Sequence, residues 1–310
     1  MAAYDQFADS SVTRAKTPRV SIGMPLYNAE RFLAGTLDSI VAQSFRDFEL
    51  IISDNGSTDR TASICRDYAS RDSRIRYFPH EVNRGAAWNH NYVLGLAQGE
   101  FFKWNAYDDS IAPAFLEKCV SVLDRTSEAV LCFSKYVEVD SNGRHSSSRS
   151  ALGMGLPHPH ERFRQLIYPH SDCVEVYGLI RLAVLRQTPG IGSYAASDKA
   201  LIVELALRGA FVDVPEVLFF HGCHGENLVA KYPDARDQSV WFDPEAQGRL
   251  LFPRSRLLME YLQILHRVPL PWKERMRCYG HLLWRMLRHP RALLLWDFFK
   301  PRRGRSLLPS

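Results

Sequence analysis

Between residues 19 and 139 the chain repeats one pattern: a short apolar run, a polar turn, a helical stretch with one apolar face, then another apolar run. Strands are expected at 19–24 (RVSIGM), 48–53 (FELIIS), 74–78, 100–104 and 129–139. Helices are expected at 29–43, from an N-cap at Thr58 through 68, at 86–97 and at 114–123. In the first helix Phe32, Leu33, Leu37, Ile40 and Val41 share a face at the 3.6-residue period. FELIIS is apolar without alternation, the composition of a strand buried on both faces. Such an order indicates a parallel, doubly wound α/β sheet. Ligands of such sheets sit beyond the carboxyl ends of the strands. Those ends here carry Pro25-Leu-Tyr-Asn28, Asp54-Asn-Gly56, Asn83-Arg-Gly85 and Asp108-Asp109, which one crevice is expected to collect.

Past residue 140 the pattern loosens. Residues 141–159 (SNGRHSSSRSALGMGLPHP) have loop composition, suited to a lid or an acceptor loop. Regular structure resumes at 161–167, then as a helix over 198–208 stopped by Gly209, and as two short strands, 211–214 and 217–221, around Pro215. The 310 residues are 46% hydrophobic and 24% charged, which is globular composition and excludes a disordered or collagen-like chain. Six scattered cysteines (65, 119, 132, 173, 223, 278) form no C-x-x-C pair, so neither a zinc site nor a disulfide framework is indicated.

The apolar stretch 292–299 is far short of the about 20 residues a membrane span needs, and it carries Asp297. The polar leader 1–18 lacks the apolar core of a secretory signal. A cytoplasmic protein is the expectation, peripheral on the inner face of the membrane if its C-terminal part binds lipid. Charge raises that question. Residues 249–310 hold 14 Lys and Arg against three acids, whereas the rest of the chain carries a net −6. Leu257, Leu258, Tyr261, Leu262 and Leu265, then Leu282, Leu283, Trp284 and Leu287, recur there at helical spacing. Basic amphipathic helices of this kind either lie on anionic membranes or pack on the main domain with their arginines in water. No recognition motif accompanies the charge, so nucleic acid is not an expected partner.

Taken singly, the polar motifs are ambiguous. Asp108-Asp109 past an apolar strand suits a hard divalent cation, but equally a solvated turn or cap. Asp54 could be a turn residue, Asn83-Arg84-Gly85 a plain turn, and Asp198 a helix N-terminal acid complementing the dipole. His221 and His224 in FFHGCHGEN could be loop or packed histidines.

Together, P-L-Y-N at 25–28, S-D-N-G-S-T-D at 53–59, N-R-G at 83–85 and D-D-x-x-x-P at 108–113 resemble family 2 glycosyltransferases. The resemblance is specific over 20–116 and looser through about residue 225. It implies an α/β fold of the GT-A type: a Rossmann-like mixed, mostly parallel sheet flanked by helices, here with an α-helical basic C-terminal extension. The implied division is a leader (1–18), a nucleotide-sugar transferase domain (19–235) and the basic amphipathic extension (236–310). The implied activity is inverting transfer of a sugar from a nucleotide-diphosphate donor, UDP-linked in the first instance, to a hydroxyl of a glycan or lipid-linked acceptor.

By that resemblance Pro25, Tyr27, Glu30 and Asp54 line the nucleoside pocket, and Asn83, Arg84 and Gly85 lie near the base and diphosphate. Asp108 faces the ribose or metal. Asp109, with His224, binds the Mn2+ or Mg2+ that bridges the phosphates. Asp198, within S-D-K-x-x-x-x-E-L-A-L-R-G, is the implied general base. Three positions depart from the family pattern. Ala106 stands where many members carry an acid, A-A-W-N-H-N follows Gly85 in place of an Ala-Arg-Asn pattern, and Ser197 replaces an acid before the base. Trp88, Asn89 and Trp104 are then candidates for shaping the sugar pocket. The missing acid also keeps open a non-catalytic, nucleotide-binding scaffold. Nucleotidyl transfer would require a Gly-rich phosphate loop, which the 25–28 turn lacks.

Overall fold

The computed structural model describes residues 17–152, 155–168, 173–225 and 231–288; most of the expected leader and the apolar stretch 292–299 lie outside them. The first half alternates as expected: β1 (Val20–Leu26), α1 (Leu33–Val41), β2 (Phe48–Asp54), α2 (Thr61–Arg71), β3 (Ile75–Pro79), α3 (Ala86–Leu96) and β4 (Phe101–Trp104). Next come β5 (Ser110–Ile111), α4 (Phe115–Arg125), β6 (Ala129–Asp140), α5 (Pro159–Ile167), β7 (Leu179–Arg181) and α6 (Leu182–Leu185). Then follow α7 (Ser197–Arg208), β8 (Ala210–Cys223), α8 (Ala235–Phe242), α9 (Pro253–Arg267) and α10 (Trp272–Arg288).

The eight strands make one sheet in the order β3-β2-β1-β4-β7-β6-β8-β5. β1 to β4, β6 and β8 run in one direction, and only β5 and β7 oppose them. This is the mixed, mostly parallel sheet anticipated above. β2 is buried at every position, as its unbroken apolar run requires.

Several local expectations change. The α2 helix starts at Thr61 after Arg60, not at a Thr58 cap; the Thr58 N–H is instead taken by Asn28 Oδ1 at 2.9 Å. The expected strands 211–214 and 217–221 are one strand. Pro215 is absorbed by a register shift, with Val214 opposite Ser134 and Val217 opposite Lys135, so the missing N–H falls where the ladder skips. Trp104 is fully buried, edge-on to Phe102 at 4.8 Å, and is therefore a core residue rather than a wall of a sugar pocket. Residues beyond β6 fold back onto it through isolated bridges, Tyr136 to Arg149 and Val139 to His145.

The C-terminal helices share the main core, to which Leu258, Tyr261, Ile264 and Leu265 of α9 and Cys278 and Leu282 of α10 belong. Buried Glu204 of α7 accepts from Arg208 at 2.6 Å and from Arg267 of α9 at 2.7 Å, while Arg267 also reaches Glu260 at 3.0 Å. Arg256 adds a second partner to Glu260 at 2.9 Å, so both buried acids are met by guanidinium groups. No described helix is long and apolar enough to cross a membrane.

Candidate active site

The carboxyl ends of β1, β2 and β4 lie side by side, so the polar turns that follow them meet at one edge of the sheet. On the β1–β2 side the turns are stitched together. Asn28, at φ +51°, accepts from Thr58 through its side chain and donates its own N–H to Ser57 Oγ at 2.9 Å. Asn and Asp tolerate this left-handed conformation better than other residues. Glu30 accepts from the Arg60 N–H at 2.9 Å, and its own N–H reaches Asp59 at 3.1 Å. Asp54 is buried, one carboxylate oxygen accepting from the Ser57 N–H at 2.9 Å and the other from the Tyr77 hydroxyl at 2.8 Å.

Asn55, which the sequence reading did not single out, ties in the third motif. Its amide donates to Asn83 Oδ1 at 2.9 Å and to the Gly85 carbonyl at 3.2 Å, and its oxygen accepts from the Arg84 N–H at 3.0 Å. Gly85 has φ +88°, and a Cβ there would lie 2.5 Å from the Phe242 carbonyl oxygen. The C-terminal part of the chain thus closes against this turn, and only glycine fits. Arg84 is exposed, with its guanidinium 4.8 Å above the Trp88 ring. Pro25 and Tyr27 are partly buried at the end of β1. Asn89 of α3 joins the two strand ends from below, donating to the carbonyls of Leu26 and Ser53.

The acidic side is built by the shortest strand. β5 pairs antiparallel with β8, Ser110 opposite Phe220 and Ile111 opposite Phe219, which draws the Asp108-Asp109 turn against the end of β8. A Cβ on Gly222 would lie 2.5 Å from the Asp108 carbonyl oxygen, so the close approach depends on glycine. The Gly222 N–H then donates to Asp109 Oδ1 at 3.0 Å, and His221 Nδ1 lies 2.9 Å from the same oxygen. His224, stacked on Phe32 at 4.3 Å, brings Nε2 to 2.9 Å from Asp108 Oδ2. The histidines therefore divide the acids: His221 with Asp109, His224 with Asp108. Burial pushes the Asp108 carboxyl above the usual range, against the opposing pull of His224 and with a further push from Asp109.

Asp109 is wholly buried, and its second oxygen, Oδ2, has no hydrogen-bond partner among the described residues. A buried acceptor left in that state is costly, more so when charged. The observation fits a hard divalent cation with carboxylate ligands. Among the described residues no three His, Cys, Asp or Glu side chains form a ligand set. The fit is therefore to a cation held by one or two carboxylates, with donor phosphates and water completing the coordination, as is usual for Mg2+.

Beneath the acids lies Lys103, another residue the sequence reading passed over despite its place inside the apolar run FFKW. It is fully buried, donating to the Trp104 and Tyr177 carbonyls at 3.0 and 2.8 Å, with the Phe115 and Phe219 rings each 5.1 Å away. Burial pushes its ammonium down to about 7, and Asp109 works in the other direction. The Tyr177 phenol is pushed up by burial and then by the charges of Asp109, Asp108 and Asp198. Asp198 sits in the first turn of α7, after Ala196 at φ +62°, and accepts the Lys199 N–H at 2.8 Å. Burial raises its carboxyl above the ordinary range, with that N–H and the Lys199 charge opposing. Nearby Glu175 is buried, accepts from the Leu152 N–H at 2.6 Å, and is pushed by burial to about 7.

Comparison with known proteins bears on the family and the fold. Residues 21–188, just over half the chain, match the family described as Glycosyl transferase family 2. EpsE of Bacillus subtilis (strain 168), itself a candidate glycosyltransferase, is 38% identical over 109 residues, covering 35% of this chain and 39% of EpsE. The matches span between 18% and 50% of the length of the first curated relatives. Among solved structures, S. aureus TarS 1–349 in complex with UDP-GlcNAc aligns with a TM-score of 0.65 at 18% identity, over 88% of this chain and 74% of that one. The mannosyltransferase PcManGT of Pyrobaculum calidifontis, in complex with GDP-Man and Mn2+, aligns at 0.52 and 16% identity, over 88% and 76%. These last two likenesses concern the fold, which is of the GT-A type.

Proposed function

The chain belongs to glycosyl transferase family 2, and from that premise we propose that it transfers a sugar, with inversion, from a nucleotide-diphosphate donor to a hydroxyl of a glycan or glycolipid. The observation that carries this reading is the unanswered Oδ2 of Asp109, buried at the sheet edge where the nucleoside-side turns converge.

In this reading Pro25, Tyr27 and Asp54 receive the nucleoside, with Glu30 bracing the loop through Arg60. Asp54 is held in one orientation by Tyr77 and Ser57, ready to accept an imide N–H such as that of uracil. Asn83, Arg84 and Gly85 border the diphosphate, positioned by Asn55. Asp109 and Asp108 would hold a divalent cation, which when bound offsets the charge building on the departing nucleoside diphosphate. His221 and His224 keep the two carboxylates oriented, and His224 is a further candidate ligand. Asp198 takes the proton from the acceptor hydroxyl as the bond to the sugar forms, and its raised proton affinity favours that role. UDP-sugars are the first donors to test, since TarS binds UDP-GlcNAc, with GDP-sugars next on the precedent of PcManGT. The transferase unit is taken as residues 19–235, with 236–310 as the basic extension.

The test is titration of purified protein with UDP-, GDP- and dTDP-sugars, with and without Mn2+, beside Asp109→Asn. Metal-dependent binding and slow release of one nucleoside diphosphate, both weakened in the variant, is the expected result. Donor binding without turnover on any membrane-extract acceptor would favour the scaffold, and failure to bind any donor would remove the reading.

A further inference from the structure

The outer face of α10 carries a second feature, independent of the crevice. Successive helical residues turn by about 100°, so the faces of α10 can be assigned. Cys278, Leu282 and Arg285 point inward and are buried. Trp272, Met276, Leu283 and Leu287 are 70, 51, 58 and 71% exposed, and they fall within a sector of roughly 60° on the other side. The adjoining sector holds Lys273, Trp284, Arg277 and Arg288, all exposed. The Arg288 guanidinium lies 5.1 Å above the Trp284 ring, and the Lys273 ammonium 5.9 Å from that of Trp272. A helix packed on a globular core needs one apolar stripe; this one has two, and the second is bordered by cations.

Charge selects the occupant. α10 has five Lys and Arg against one acid, Glu274, which is already engaged by His160 Nδ1 at 2.8 Å and Arg277 at 3.1 Å. A second copy of the chain would bring the same basic face against itself, which like-charge repulsion disfavours. A planar surface that is anionic at the top and apolar beneath satisfies both sectors at once. We infer that the outer face of α10 seats on an anionic lipid bilayer. The stripe from Trp272 to Leu287 enters the acyl boundary, and Lys273, Arg277 and Arg288 rest on the headgroup phosphates. The helix lies on the membrane and does not cross it. Tyr168 meets Trp284 edge-on at 5.8 Å.

The experiment needs no sugar donor, so it fails or succeeds separately from the transfer reading. The purified full chain is sedimented with vesicles of phosphatidylcholine alone and of phosphatidylcholine with phosphatidylglycerol, at low and high salt, while tryptophan emission is followed. Binding to the anionic vesicles with a blue shift, weakened by salt, is expected. Leu283→Asp with Leu287→Asp, and separately Lys273→Glu with Arg277→Glu, are each expected to lower that binding by roughly tenfold or more. All four side chains are exposed, and unchanged circular dichroism will confirm folding. Absence of binding by the native chain, equal binding to neutral vesicles, or binding unaffected by the charge-reversal pair would overturn the inference. So would self-association of the native chain that either pair abolishes.

Discussion

Asp54 and Asp109 end neighbouring parts of the same sheet edge, yet their environments differ. Both oxygens of Asp54 are answered by the protein, through the Ser57 N–H and the Tyr77 hydroxyl. Asp109 has one oxygen answered twice, by Gly222 and His221, and the other without a partner among the described residues. On the first side the turns brace one another through short hydrogen bonds, so little ordering remains when a ligand arrives. On the second side a buried acceptor oxygen lacks a partner among the described residues, which in the proposed reading a cation arriving with phosphate would answer. In the proposed reading, one half of the crevice is finished before a donor binds, and the other half is completed by it.

Four measurements test that contrast. Asp198→Asn removes the proposed proton acceptor and leaves both halves intact. Turnover should fall on the order of 10²–10⁴-fold with donor affinity little changed, and the acid limb of the native pH profile should lie above the ordinary carboxylate range, because burial raises this group. A parallel loss of donor binding would instead make Asp198 part of the donor pocket. Asp109→Asn should cost on the order of 10²–10³ in turnover, together with the metal dependence of donor binding; donor affinity that keeps its response to Mn2+ would place the cation elsewhere.

Glu175→Gln reports on burial around the base. The folded chain holds the Glu175 proton up to about 7 against an ordinary 4.5. Stability from this group is thus complete below that lower value and is lost as pH rises through about 7. The variant should flatten that decline, by on the order of 3 kcal/mol or less, in denaturant titrations at several pH values. The smallest effect is expected from Tyr77→Phe. Loss of one hydrogen bond to Asp54, worth about 1 kcal/mol, should weaken donor binding by roughly fivefold, visible by calorimetry. A far larger loss would mean that the nucleoside side is less preformed than its hydrogen bonds indicate.

Some of this was legible in the chain and some was not, for particular reasons. β2 could be read because FELIIS is long enough and uniformly apolar, and α1 because its apolar residues recur at the helical period. β5 could not, because two residues have no periodicity; it exists only because Ser110 and Ile111 find Phe220 and Phe219 more than a hundred positions away. That pairing decides which histidine meets which acid. Asn55 was hidden inside a motif already read as a turn. Lys103 was hidden inside a strand, although a lone lysine among FFKW was the available signal.

Local chemistry therefore determined a good deal. Apolar runs and helical spacing are short-range properties, and they pointed to a parallel sheet with four polar motifs at its carboxyl edge; the opposing strands β5 and β7 were not among them. What local chemistry could not specify is anything that depends on desolvation or on partners distant in the chain. The bare oxygen of Asp109, the buried ammonium of Lys103, the raised carboxyls of Asp198 and Glu175, and the choice of which stripe of α10 faces water all arise from what covers each group. Burial belongs to the folded chain as a whole, and charge in a protein means little until burial is known.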